Sequence, residues 1–116
     1  MNTEQIKALA IEALNDLKAL DMIVIDVHDL TTITDYMIIC TGRSTTHVKS
    51  LAENVVKKAK QLHASYIQME GEREAEWVIV DLADVIVHVM LPATREFYSL
   101  EDLWEQHEYS HYRHRQ

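Results

Sequence analysis

Ile6, Leu9, Ala10, Ala13, Leu14, Leu17 and Leu20 recur at helical spacing, which predicts an amphipathic helix over residues 3–20 with Thr3 as its N-cap. The pattern then becomes contiguous and branched, so residues 22–27 and 36–41 read as strands, the second ended by Gly42. Ser44 opens a second helix. Its Val48, Leu51, Ala52, Val55, Val56, Ala59 and Leu62 form one apolar stripe, while Lys49, Glu53, Lys57, Lys58 and Lys60 make a solvated face. Residues 65–69 read as a third strand, a polar loop covers 70–75, and strands follow at 76–81 and 84–90. Pro92 begins a short turn, and Ser99 with Asp102 has the capping-box spacing for a last helix through Leu103 and Trp104. The order αββαβββα predicts one α/β domain over residues 1–106, built on a mixed five-stranded sheet, with a polar His- and Arg-containing tail at 107–116.

The hairpin within residues 76–90 carries the sharpest alternation. With Leu82-Ala83 as its loop, Asp81 opposes Asp84, Val80 opposes Val85, Ile79 opposes Ile86, Val78 opposes Val87 and Trp77 opposes His88. One face is then all valine and belongs under the helices. The other holds Trp77, Ile79, Asp81, Asp84, Ile86 and His88, and at its turn end two like charges face each other, which is unfavourable. Two readings stay open for this second face: a docking surface, or a face covered by a second helix, with the first helix the candidate, and the aspartates bonding turn amides.

Composition narrows the function classes. Two glycines in 116 residues leave little supply for phosphate cradles, and neither GxGxxG nor GxxxxGK[ST] occurs. One cysteine, Cys40, gives no disulfide framework and points to a reducing compartment. The start lacks the basic and apolar blocks of a signal peptide, and no apolar run is long enough to span a bilayer, so the expected location is the cytoplasm, with a mature organellar form the alternative. Net charge is −8, distributed unevenly: −4 over residues 1–43, +3 over 44–69 and −7 over 70–102. That acidity argues for a basic protein partner and against nucleic acid as the main one.

Thr34-Asp35-Tyr36, Thr41-Gly42 with Ser44, Glu70-Gly71, the run from Trp77 to Asp81 followed by Asp84-Val-Ile-Val-His88, and Arg95-x-x-Tyr98-x-Leu100-Glu101-x-Leu103-Trp104 resemble, in collinear order, the ribosomal silencing factor (Iojap-related) family. The resemblance implies a nucleotidyltransferase-like core without its catalytic carboxylates, and a non-enzymatic protein with no cofactor and no metal. It implies binding to the large ribosomal subunit at its ribosomal protein fourteen, which blocks joining of the small subunit and lowers translation when nutrients run short. Direct nucleic-acid binding would be slight and membrane binding absent; a homodimer of the free protein stays open. Trp77 would be the aromatic anchor and Asp81 the charge complement, with Leu82, Asp84, His88, Arg95 and Tyr98 on or beside the same surface. One position departs: where the family commonly has Asp-Tyr/Leu-Gly-Asp, this chain has Asp81-Leu82-Ala83-Asp84. A left-handed Ala83 costs roughly 1–2 kcal/mol.

The alternative reading is a nucleotide- or phosphate-binding enzyme using the strand-Thr41-Gly42-Arg43-Ser44-helix turn, where helix amides attract anions. Its nucleotidyltransferase form needs two carboxylates on one strand to hold Mg²⁺, and the next strand, residues 65–69, has none. His107-Glu108-Tyr109-Ser110-His111 spells HExxH but lacks an apolar flank and a third ligand, so a solvated tail is expected. Asp26-Val27-His28-Asp29 reads as a polar strand end, Glu70 through Glu76 as a solvated run, Asp35 as a turn residue, and Cys40 as packed.

Overall fold

Asn2, not Thr3, begins the first helix. In a computed structural model describing the backbone of residues 1–104 and 109–112 and the side chains of residues 1–102, the Asn2 side chain accepts from the Gln5 amide at 2.8 Å and Gln5 Oε1 accepts from the Asn2 amide at 2.9 Å. This reciprocal cap starts α1 (Thr3–Asp16) and leaves the Thr3 hydroxyl for another use. Strands β1 (Leu20–Asp26) and β2 (Tyr36–Thr41) follow, then α2 (Thr45–Gln61), whose N-cap Ser44 accepts from the His47 amide as its sequence position predicts.

Next come β3 (Gln68–Glu70), β4 (Trp77–Asp81) and β5 (Val85–Met90). Pro92 opens a seven-residue helix, α3 (Pro92–Tyr98), where a turn was expected. Ser99 does not cap a further α-helix. It takes φ 45° as the end of α3, and Leu100–Trp104 form a 3-10 turn.

All five expected strands are present in one mixed sheet, extended by a sixth, β6 (Tyr109–Tyr112), in the order β3-β4-β5-β2-β1-β6. The β2–β5 pair is parallel and the others are antiparallel. Residues 109–112, expected in a solvated tail, thus pair their backbone with the edge of β1. His107 and Glu108 of the HExxH stretch lie outside the described residues, as does the boundary expected at 106. Tyr109, Ser110 and His111 are in a strand, so the helical turn that the motif needs is not formed there.

Strands β1 and β2 are buried on both faces. Met22 and Val24 of β1 and Ile38 and Cys40 of β2 join the core beneath α1 and α2, with Val78, Val80, Val85 and Val87 of the hairpin. Ile23, Ile25, Met37 and Ile39 form a second cluster on the opposite face, with Met90. Gly42 closes β2 where α2 arrives: a Cβ there would lie 2.7 Å from Val48 Cγ2. Among the described residues no helix is long and apolar enough to cross a membrane.

Candidate docking surface

The face turned away from α1 and α2 is built of cross-strand rows. One row runs Glu70, Ile79, His88, Ile39, Ile23; the next runs Gln68, Asp81, Ile86, Met37, Ile25; a third runs Trp77, Met90, Thr41. Burial is graded along them. Ile23, Ile25, Ile39 and Met90 are buried, Trp77, Ile79 and Ile86 half-buried, and Gln68 and Glu70 exposed. Leu30 and Leu100 pack on the buried end. The face is therefore covered over β1 and β2, by Leu30 and Leu100 and not by an α-helix, and open over β3 and β4. The first helix is not the cover: α1 lies on the valine side.

The hairpin register is displaced two residues from the expected one: Trp77 pairs with Met90, Ile79 with His88 and Asp81 with Ile86. A two-residue shift keeps every side chain on its face, so the valine alternation is preserved and cannot distinguish the two registers. The turn decides. Leu82 donates its amide to the Val85 carbonyl at 2.9 Å, which makes Ala83-Asp84 the loop, and the Asp84 amide donates to the Leu82 carbonyl at 2.9 Å across Ala83, at φ 70°. That is a γ-turn of the strained hand. Asp81 Oδ1 accepts from the Ala83 amide at 2.8 Å and steadies it.

These changes relocate several expected contact residues. Leu82 is buried among the core valines and is not on the surface. Asp81 and Asp84 do not oppose each other; Asp84 accepts from the Thr3 hydroxyl at 3.0 Å, and its carbonyl takes the Asp35 and Tyr36 amides. Asp35 so bonds the hairpin turn through its amide, not a turn of its own before β2. Arg95 is also buried: Nε lies 3.1 Å from Glu101 Oε2, and Nη1 donates to the Asp21 carbonyl at 2.6 Å and to Thr41 Oγ1 at 3.0 Å. It braces the surface from behind.

Trp77 and His88 meet across the diagonal, with indole Nε1 donating to imidazole Nδ1 at 3.0 Å. Burial drives the His88 pKa down to about 4, so the ring is neutral and free to accept at Nδ1. Tyr98 also packs on the indole, at a centroid distance of 4.9 Å and a tilt of 48°. Phe97 then meets Tyr98 edge-on at 4.9 Å. Phe97 is 81% exposed and Tyr98 56%, so three aromatic rings step outward from the sheet. A shallow groove between Trp77, Ile79, Gly71 and Glu70 adjoins them. Gly71 is required there, because at φ 91° a Cβ would sit 2.2 Å from the Trp77 carbonyl oxygen. Glu70, Glu74, Glu76 and half-buried Asp81 make the surroundings acidic.

The other candidate chemistries are spoken for locally. At the Gly42 turn, the Gly42 amide donates to the Met90 carbonyl, the Arg43 amide to His47 Nδ1 at 2.9 Å and the His47 amide to Ser44, so three amides an anion would use are engaged within the protein. Cys40 is fully buried, with its thiol pushed up to about 12 by desolvation, which makes it a packed thiol. His28 is bracketed by Asp26 at Nδ1 and Asp29 at Nε2, and these partners, Asp26 first, raise its pKa.

Sequence reasoning missed four participants. Phe97 is the outermost ring, and the adjacent Phe-Tyr pair was its available signal. Glu101 partners Arg95 only because the left-handed Ser99 folds the chain back. Thr3 bonds Asp84, and His47 donates Nε2 to the Leu17 carbonyl at 2.7 Å, tying α2 to the end of α1. Neither Thr3 nor His47 has a local sequence signature for its contact, and Glu101 stands in the family motif with no role attached.

Comparison with known proteins identifies the family of the chain as a whole. Residues 1–116 match the family model described as "Ribosomal silencing factor during starvation". The Chromobacterium violaceum protein named "Ribosomal silencing factor RsfS" is 46% identical over 104 residues, covering 90% of this chain and 85% of that protein. A crystal structure of a C. violaceum protein superposes with a TM-score of 0.88 at 46% identity, covering 90% of this chain and 88% of that one. A mouse protein named "Mitochondrial assembly of ribosomal large subunit protein 1" is 36% identical, over 83% of this chain and 43% of its own length.

Proposed function

The chain belongs to the ribosomal silencing factor family, and from that premise we propose that it docks on the large ribosomal subunit through the open half of its sheet and keeps the small subunit from joining. The docking target is ribosomal protein fourteen of that subunit, reached in the cytoplasm under nutrient limitation, and the action is occlusion without catalysis. The observation that carries this reading is Trp77, half-buried and flanked by exposed Tyr98 and Phe97 on an acidic sheet edge.

An anchored ring with a polar, water-excluding border is the arrangement found at binding hot spots. Trp77 is preorganised for the role: His88 holds its N–H and Tyr98 holds one side of its ring, so little rotamer freedom remains to be lost on binding. The carboxylates of Glu70, Glu74, Glu76 and Asp81 favour a basic partner and speed its approach. Asp81, Asp84 and His88 act chiefly by shaping this surface, and Leu82 and Arg95 support it from inside. The mouse relative's name, which includes the large subunit, agrees with the choice of target.

Co-sedimentation with isolated large subunits tests the reading. Trp77→Ala, in a folded protein, is expected to weaken binding by more than about 2 kcal/mol; unchanged co-sedimentation refutes the proposed face.

A further inference from the structure

The helix that presents Tyr98 and Phe97 has little of its own to hold it in place. α3 is seven residues long, has no side-chain hydrogen bond at its N-cap, and buries only Arg95. A helix this short is not stable in isolation. Phe97 and Tyr98 are both exposed, so neither anchors it by burial.

What fixes α3 is the guanidinium. Arg95 reaches three separate elements at once. The first is the Asp21 carbonyl, in the stretch of β1 where the register with β2 shifts between Leu20 and Ile23 and Asp21 itself takes φ 48°. The second is Thr41 Oγ1 at the end of β2, and the third is Glu101 in the 3-10 turn after α3. A β-bulge diverts a carbonyl from the ladder, and here the diverted carbonyl is met by a charged donor from another element. Three acceptors in different directions suit the fork of an arginine; a lysine ammonium would have to reach them all from a single point. The Arg95 carbonyl also receives the Ser99 amide at 2.8 Å, which closes the left-handed turn that brings Glu101 back. Glu101 Oε1 is buried without a hydrogen-bond partner, so the carboxylate depends on Arg95 for compensation.

We infer that Arg95 is a positioning residue for the docking surface: its clasp on Asp21, Thr41 and Glu101 sets α3 so that Tyr98 lies against Trp77. The inference rests on the docking reading for its functional consequence, but its structural half stands apart from it. Tyr98 is one helical turn beyond Arg95, on the same short helix, so a shift of α3 moves the ring stack directly.

The test uses the full chain and two readouts. The first is the Trp77 indole N–H resonance, assigned by its loss in Trp77→Phe, which reports the stack without any partner. The second is affinity for isolated large subunits, in a cycle of Arg95→Met and Tyr98→Ala. Arg95→Met is expected to move the indole resonance and to weaken binding roughly tenfold, and to add little once Tyr98 is already alanine, because residues acting through one contact are not additive. An unmoved indole resonance, or an equal further loss of affinity in the Tyr98→Ala background, overturns the inference. Arg95→Lys, which keeps the charge and loses the fork, gives the same comparison if methionine unfolds the chain. If Trp77→Ala binds as well as wild type, the docking reading fails, and the indole resonance still decides whether Arg95 sets the stack.

Discussion

Trp77 lies diagonally across the hairpin from His88 and donates its indole N–H to His88 Nδ1 at 3.0 Å, so the aromatic anchor is oriented by a histidine that must stay neutral. The folded pKa of His88 is lowered to about 4 from 6.5 by burial. Between those values the unfolded chain takes up a proton that the folded chain refuses. Stability therefore rises with pH across that window and is lost as pH falls through it. The loss reaches about 3 kcal/mol at most, near the folded pKa. Urea unfolding of wild type and His88→Gln should show it: the wild type loses stability from neutral pH down to the folded pKa, and the variant loses less. His28, with its pKa raised by Asp26, acts in the opposite direction in both proteins and cancels in the comparison. Equal slopes would contradict the assignment of His88 as a buried neutral acceptor.

The turn at Ala83 makes a second prediction. Ala83 sits at φ 70°, where an alanine is strained and a glycine is not. Ala83→Gly should raise stability by about 0.5–1 kcal/mol, the strain relieved less the extra freedom glycine gains in the unfolded chain. Gly71→Ala should do the reverse, costing about 3 kcal/mol, since its Cβ would meet the Trp77 carbonyl oxygen at 2.2 Å. Thermal and urea midpoints of the two variants check both signs.

Cys40 offers a third. It is fully buried on β2 beneath the helices and its thiol is raised to about 12, so almost no thiolate exists near neutral pH. A colourless disulfide reagent that releases a coloured thiol should label the native protein only as fast as it unfolds, and the denatured protein at once. Rapid labelling of the native protein would show that the second strand opens or that Cys40 is not packed.

Periodicity made much of this legible and left identifiable parts out. The valine alternation of residues 78–87 located the hairpin and its buried face, and the stripe from Val48 to Leu62 located α2. The same alternation could not see a two-residue shift, because a period of two is unchanged by it; the hydrogen bonds of Leu82, Ala83 and Asp84 set the register instead. Resemblance to family motifs marked Leu82 and Arg95 as significant but carries no information on which way a side chain points, and both point inward. α3 went unread because its one buried residue is a charged arginine, which leaves no apolar stripe to detect. β6 has no alternating apolar pattern in Tyr-Ser-His-Tyr and is specified by backbone pairing to the free edge of β1.

Separated ribosomal subunits mixed in a density gradient, with wild type or with Trp77→Ala, test the central claim most directly. Wild type is expected to lower the joined fraction and to travel with the large subunit, while folded Trp77→Ala leaves joining intact. Joining unaffected by wild type, or blocked equally well by Trp77→Ala, would contradict the account.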